Sequence, residues 1–154
     1  MKRSWKAALL ASAAVGALVL GGCGSDQGAS GDKPQIGVAI YKFDDTFMSG
    51  VRAEIDKAAK DKAKVDIVDS QNSQPTQNEK IDLFINKKYK AIGVNVVDRT
   101  AAGVIIDKAK AANIPLVFLN REPLKEDMAK WDKVYYVGAK AEQSGEMQGK
   151  ILAD

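Results

Sequence analysis

The sequence predicts an α/β fold, a doubly wound parallel sheet of five strands in the order 2-1-3-4-5. Short, nearly continuous runs of apolar and β-branched residues recur along the chain, as expected of parallel strands that are buried on both faces. The runs are Ile36 to Tyr41, Val65 to Val68, Ala91 to Val97, Ile114 to Leu119 and Val134 to Val137. Helical patterns separate the first four runs at intervals of roughly 20 to 30 residues, which is typical of right-handed βαβ units.

Three amphipathic helices are predicted between these strands. Their apolar residues follow i, i+3 or i+4 spacing, with charged residues on the opposite side. The apolar stripes fall within residues 47–59, 81–85 and 102–109. The second helix is expected to open near Ser73 or Pro75, since proline suits the first helical position. The third is expected to end at Asn113, because asparagine tolerates the left-handed conformation of a helix cap.

A further helical pattern closes the sequence. Gly138 breaks the fifth apolar run, and the new pattern begins at Ala141 with Met147 and Ile151 on one face. Two interpretations stay open from the residues alone. Either the helix belongs to a part of the protein that the sequence does not include, or it is an ordinary C-terminal helix that packs on the sheet.

The first 23 residues have the pattern of an export signal. Lys2, Arg3 and Lys6 precede an uncharged run at residues 7–20. That run has about 14 residues, too few for the roughly 20 that span a bilayer, so a cleaved signal is favoured over a membrane helix. Leu20-Gly21-Gly22-Cys23 resembles the lipobox of bacterial lipoproteins, which implies cleavage before Cys23 and acylation of its thiol. An ordinary signal peptide with an incidental cysteine is the alternative.

Composition excludes several classes of function. The sequence has 23 basic and 20 acidic residues, and three of the basic ones lie in the predicted signal. Removal of the signal would leave 20 of each, so the mature chain would have no net charge. No charge excess therefore favours nucleic acid as a partner. The chain has no histidine and one cysteine, so the usual zinc ligands and any Ser-His-Asp or Cys-His pair are missing.

Candidate binding residues follow the first predicted strand. Ligands of an open parallel sheet bind beyond the carboxyl ends of its strands. Residues 41–47 carry carboxylates and aromatic rings but no glycine-rich phosphate loop. The Asp45 carboxylate and the Phe47 ring suit a hexose, whose edge is hydroxyls and whose faces are C–H groups. The alternative makes Asp45 a helix N-cap and Phe47 a first-turn core residue.

Polar residues also follow the other strands. Asn120 after strand four can both donate and accept, whereas Arg121 and Glu122 are expected to pair in solvent. Residues 69–73 after strand two could line a cleft or serve as loop and cap residues, and they lack the pattern of a calcium loop. Asn95 inside strand three is expected to bond locally if it is buried.

Several segments together resemble the periplasmic galactose/glucose-binding proteins of ABC sugar importers. The likeness runs with few gaps from about Ile36 to the end of the chain, beginning with IGVAIYKFDDTFMSGVR. It continues through residues 69–82, 91–98, 101–109, 114–123, 135–138 and 144–150. In that family, two α/β lobes joined by three hinge strands close over one sugar. The resemblance covers the amino-terminal lobe, so it implies a truncated type I periplasmic-binding-protein fold.

The resemblance also implies roles for single residues. Asp45 would accept hydrogen bonds from sugar hydroxyls, and Phe47 would stack on a ring face. Asn120 would bond the ring-oxygen side, and Tyr41 would be a weaker contact. The family's other ligands and its calcium loop would lie in the second lobe, so no cofactor or metal is expected here. Arg121 stands where relatives often have lysine.

The expected organisation has four parts. Residues 1–22 are a lipoprotein signal peptide, 23–34 a lipid-anchored flexible linker, 35–138 the sugar-binding lobe, and 139–154 a hinge crossing with the first helix of a second lobe. The expected location is the periplasm or the outer side of the cytoplasmic membrane, with anchoring at Cys23.

The expected function is the substrate-binding component of an ABC importer for galactose or glucose, not an enzyme. Adjacent Asp44 and Asp45 cannot flank a glycosidic bond at the roughly 5 to 9 Å that a glycosidase needs. Alternatives are another monosaccharide, such as ribose or xylose, or a chemotaxis role. The protein is expected to be a monomer. Its expected partners are the monosaccharide, the permease subunits, the membrane and a chemoreceptor, and nucleic acid is not expected to bind. A sugar-sensing transcription regulator would carry a helix-turn-helix where this chain has the export signal.

Overall fold

The computed structural model describes residues 33–153, which form five strands and five α-helices. The strands are β1 (Gln35–Ile40), β2 (Lys64–Asp69), β3 (Ala91–Val94), β4 (Leu116–Leu119) and β5 (Val134–Val137). The helices are α1 (Thr46–Ala59), α2 (Gln74–Asn86), α3 (Ala102–Ala112), α4 (Lys125–Met128) and α5 (Ala141–Ala153), with a 3₁₀ turn at Arg99–Ala101. The predicted signal peptide at 1–22, Cys23 and all but the end of the 23–34 linker lie outside the described residues.

The strands form one parallel sheet in the order β2-β1-β3-β4-β5, which confirms the predicted order. Helices cover both faces. Met48 of α1 packs on Val38 and Ile40 of β1 on one side. On the other side α2 and α3 bury Phe84 and Ile105 in the larger core. The doubly wound arrangement therefore leaves the two ends of the sheet, not its faces, for a binding site.

Caps end or begin the helices where the sequence predicts. Asp45 and Ser73 are the N-caps of α1 and α2, and each side chain accepts a hydrogen bond from a backbone N–H of the first turn. Asn113 adopts the left-handed conformation at the end of α3, with φ of 55°. The short helix α4 was not among the predicted elements.

Two strands are shorter than predicted. β3 ends at Val94 instead of Val97, because the Val97 N–H donates to the Gln77 side-chain oxygen rather than to a neighbouring strand. β4 begins at Leu116 instead of Ile114, because the Ile114 N–H still donates to Ala109 of the preceding helix. The spacing of apolar residues cannot predict either strand boundary, because each boundary depends on the hydrogen-bond partner of one backbone N–H.

Three polar side chains, Ser70, Gln77 and Asn95, are fully buried beneath the carboxyl ends of the strands. The Gln77 amide donates to Ser70 Oγ at 3.1 Å and to the Asn95 carbonyl at 2.9 Å. The Asn95 amide donates to the Leu119 carbonyl at 2.9 Å, and its oxygen accepts from the Tyr41 N–H at 3.4 Å. The expectation that Asn95 bonds locally is therefore wrong, since its side chain joins the ends of three strands.

The last helix does not pack on the sheet. Within residues 33–153 no residue of α5 is buried, and Met147, Ile151 and Leu152 are among its exposed apolar side chains. Of the two interpretations of this helix, the packed C-terminal helix is therefore wrong. No helix of the described segment has the length and apolar character needed to cross a bilayer.

Two glycine substitutions are expected to act in opposite directions. A Cβ at Gly37 would lie 2.4 Å from ring carbons of Phe84, so Gly37→Ala should lower the free energy of unfolding by about 1–3 kcal/mol through overpacking. A Cβ at Gly50 in α1 would meet nothing within 4 Å, so Gly50→Ala should raise it by about 0.5–1 kcal/mol. Urea unfolding measures both changes. A Gly37→Ala midpoint equal to that of the wild type would contradict the packing argument.

The buried amide of Gln77 provides a second prediction. Gln77→Leu keeps most of the volume but leaves the Asn95 carbonyl and the Val97 N–H without their partner, so unfolding should become easier by about 2 kcal/mol or more. Gln71→Leu is the matched control, because Gln71 is exposed, and it should stay within about 0.5 kcal/mol of the wild type. Equal effects of the two variants in urea unfolding would reject this account.

Candidate functional site

Polar and aromatic residues collect at the carboxyl edge, defined here as the segments that follow β1 to β4. These segments are residues 41–47, 70–73, 95–98 and 120–122. Because the sheet is parallel, all four emerge at the same end of it. This is the end at which open α/β sheets bind ligands.

Asp45 is both a helix cap and an ionised acceptor. Its Oδ1 accepts from the Met48 N–H at 2.8 Å, and its Oδ2 accepts from the Tyr41 hydroxyl at 2.5 Å. The hydrogen bond from Tyr41, followed by that from Met48, lowers the pKa of Asp45. The N-cap role is therefore confirmed. It leaves lone pairs free on both oxygens of a carboxylate that is charged at neutral pH.

Phe47 presents its ring to solvent. The side chain is 65% exposed although it sits in the first turn of α1, and Met48 beside it fills the core with no exposure. The alternative that made Phe47 a core residue is wrong. Phe47 thus offers an exposed apolar face two residues along the chain from the hydrogen-bond acceptor Asp45.

Tyr41 is a buried residue that supports Asp45. Only 7% of the residue is exposed, and its hydroxyl donates a hydrogen bond to Asp45. That hydrogen bond is the main reason why the pKa of Tyr41 is raised. A ligand would reach little of this side chain.

Asn120 follows β4 in the left-handed conformation, with φ of 61°. Its N–H donates to the Val137 carbonyl at 2.9 Å, and its carbonyl accepts from the Tyr136 hydroxyl at 3.1 Å. The side chain is exposed, and its amide makes no hydrogen bond within residues 33–153. Backbone contacts thus hold Asn120 in place while its donor and acceptor atoms remain available.

Arg121 does not pair with Glu122, so that expectation is wrong. Its Nη1 donates to the carbonyls of Val96 at 3.1 Å and Val97 at 2.9 Å. These carbonyls are available because β3 has already ended. The guanidinium also lies over the Tyr41 ring, 3.9 Å from its centroid. Arg121 therefore ties the end of β4 to the ends of β3 and β1.

The segment after β2 serves mainly as loop and cap. Ser73 caps α2, Ser70 is buried against Gln77, and Asp69 Oδ1 accepts from the Gln71 N–H at 2.7 Å. Gln71 and Asn72 are exposed and line a shallow groove with Lys42 and Asp44, which pair at 3.3 Å. No group of three potential metal ligands occurs in the part of the chain that the structure describes.

The structure places Asp45, Phe47, Tyr41 and Asn120 at one edge of the sheet. Asp45 and Tyr41 are joined directly, and Arg121 connects Tyr41 with the segment that contains Asn120. Sequence reasoning missed the supporting roles of Gln77 and Arg121. The usable signal for Gln77 was its position four residues before Ile81, on the apolar stripe of α2, where a polar residue needs a buried partner.

Known proteins are similar to this chain in sequence and in fold. A model of the periplasmic binding protein domain matches residues 36–154. The chain is 46% identical over 121 residues to the D-galactose/methyl-galactoside binding periplasmic protein of Haemophilus influenzae, covering 77% of this chain and 37% of that protein.

Two solved structures are also similar. An ABC transporter solute-binding protein from Bacillus halodurans C-125 with bound myo-inositol has a TM-score of 0.65 and 28% identity, over 79% of this chain and 42% of that one. A periplasmic solute-binding protein from Actinobacillus succinogenes with bound D-allose has a TM-score of 0.66 and 26% identity, over 79% and 44%. The chain thus spans 37% to 44% of the length of these relatives. Because the domain model matches most of its length, the chain belongs to the periplasmic binding protein domain family.

Proposed function

We propose that this chain forms one lobe of the galactose- or glucose-binding component of an ABC sugar importer, a binding protein without catalytic activity. The observation that carries the proposal is that the Phe47 ring is exposed two residues along the chain from the ionised Asp45 carboxylate, at the end where open parallel sheets bind ligands. The 46% identity to a galactose-binding relative supports this choice of ligand.

Each candidate residue has a chemical task in this proposal. Asp45 accepts hydrogen bonds from sugar hydroxyls, and a carboxylate can meet an axial or an equatorial hydroxyl, so both C4 epimers fit. Phe47 stacks on the C–H face of the ring, and Tyr41 makes a minor contact. Asn120 donates to and accepts from the ring-oxygen side. All four act on a neutral ligand, which agrees with the balanced charge of the mature chain.

The proposal assigns residues 35–138 to this lobe and 139–154 to a hinge crossing and the first helix of a second lobe. Two lobes that close over a ligand exclude water and complete the hydrogen bonds to its hydroxyls. The exposed apolar face of α5 agrees with a helix that packs on residues beyond this lobe. Any calcium site belongs to the second lobe in this proposal.

A second candidate ligand is another cyclic polyol or monosaccharide. The two similar solved structures hold myo-inositol and D-allose, and both have the fold described above. Competition of these two ligands, D-ribose and D-xylose against D-galactose would separate the candidates.

The proposed location is the periplasm or the outer side of the cytoplasmic membrane, with a lipid on Cys23. From there the protein delivers sugar to the permease subunits of the importer as a monomer. Docking of the sugar-bound protein on a chemoreceptor stays a prediction of the resemblance.

Loss of the Asp45 side chain tests the sugar assignment. Asp45→Ala in the full-length protein should weaken binding of D-galactose or D-glucose at least about tenfold, because a charged acceptor is lost from the site. Isothermal titration calorimetry measures the affinity. Asp44→Ala is the matched control: this neighbouring carboxylate is 78% exposed and pairs with Lys42, so its loss should change the affinity less than about twofold. Equal affinities of wild type and Asp45→Ala would reject the assignment.

The anchor is tested separately in cells. Wild-type protein should incorporate an alkyne-tagged fatty acid and sediment with membranes, whereas Cys23→Ser should do neither, since Cys23 is the sole thiol of the chain. Ser25→Ala provides a control that keeps the thiol and should behave as the wild type. Labelling of Cys23→Ser at the wild-type level would exclude this anchor.

A further inference from the structure

One arginine at the carboxyl edge, Arg121, contacts both an aromatic ring and backbone carbonyls. The Arg121 guanidinium lies 3.9 Å from the centroid of the Tyr41 ring. Its Nη1 donates to two successive backbone carbonyls, those of Val96 and Val97. The side chain therefore spans from the end of β4, across the end of β3, to the ring that follows β1.

This combination of contacts requires a guanidinium. The group is planar, so it can stack on a ring face while its N–H bonds donate in the same plane. A lysine ammonium has three donors on one atom and no flat face, and it cannot stack on the ring in this way. Replacement of Arg121 by lysine would keep the charge and lose the geometry.

Tyr41, whose ring lies against the guanidinium, is hydrogen-bonded to a residue of the candidate site. The Tyr41 hydroxyl donates to Oδ2 of Asp45, and Asp45 in turn caps the helix whose first turn carries Phe47. The orientation of the phenol therefore decides which lone pairs of the carboxylate remain for a ligand. A ring that is free to tilt would present a less defined acceptor.

We propose that Arg121 is a positioning residue of the sugar site, which acts through the Tyr41 phenol on the Asp45 carboxylate and not by touching the sugar. The inference rests on the proposed function. It assigns an effect on sugar affinity to a residue that does not touch the sugar, because the Arg121 guanidinium holds the Tyr41 ring and the Tyr41 hydroxyl holds the Asp45 carboxylate.

A double-mutant cycle in the full-length protein tests the route. Arg121→Lys should weaken D-galactose binding about fivefold, the scale expected for a lost stacked and hydrogen-bonded guanidinium. Tyr41→Phe keeps the ring but removes the hydroxyl that reaches Asp45. In that background Arg121→Lys should cost less than about twofold, since the connection is already broken. An undiminished fivefold cost would overturn the proposal, because Arg121 would then act without the Tyr41 hydroxyl.

Arg52 offers a matched control for the substitution. Its guanidinium lies 3.8 Å from the Phe43 ring centroid, and its Nη2 donates to the Phe43 carbonyl at 3.0 Å. It has the same kind of contact, but within residues 33–153 no hydrogen bond or cation–π contact joins Arg52 to Tyr41. Arg52→Lys should leave the sugar affinity within about twofold. A loss equal to that of Arg121→Lys would overturn the assigned route.

A measurement without sugar separates this inference from the proposed function. A stacked guanidinium places the Arg121 side-chain protons in the ring current of Tyr41, so their NMR signals should lie upfield and return to ordinary positions in Tyr41→Leu. Ordinary positions in the wild type would overturn the positioning role. If the wild type binds no sugar, the proposed function fails, and the upfield shift then still decides whether Arg121 holds the ring.

Discussion

Two buried amides, those of Gln77 and Asn95, hold the carboxyl ends of four strands together. Gln77 bonds the segments that follow β2 and β3, while Asn95 bonds the end of β4 and the residue after β1. A buried polar group without a partner costs about 1–3 kcal/mol, so the network resists any displacement of one strand end relative to another. The residues of the candidate site follow the same strand ends, so their positions depend on this network.

A second layer of contacts rests on this network. The carbonyls of Val96 and Val97 are free to accept from Arg121 because the side chain of Gln77 has ended the β3 ladder. Arg121 covers Tyr41, and Tyr41 donates to Asp45. The acceptor and the aromatic ring of the site thus stand on short, supported segments and not on a free loop.

The fold was predictable because its signals are local. Apolar runs, amphipathic stripes and the caps at Asp45, Ser73 and Asn113 all reflect preferences of neighbouring residues. Two of the incorrect predictions concern partners that lie far away in the sequence. Asn95 bonds residues 54 and 24 positions away, and Arg121 bonds carbonyls 25 and 24 positions away. Such partners come together only when the sheet has formed. Residue type alone could not identify them and favoured a local contact for Asn95 and a solvent-exposed ion pair for Arg121.

The amino-acid sequence by itself determined the order of the sheet, the end of it that would carry the site, and the residue types available there. The parallel βαβ pattern brings every strand end to one edge, whatever the details of packing. Only the tertiary structure decided that Phe47 stays exposed while Met48 fills the core, and that Arg121 turns back onto Tyr41 instead of pairing with Glu122. The reason is physical: a side chain's exposure and partners depend on which surfaces the packed elements leave open, and those surfaces are formed by residues distant in sequence.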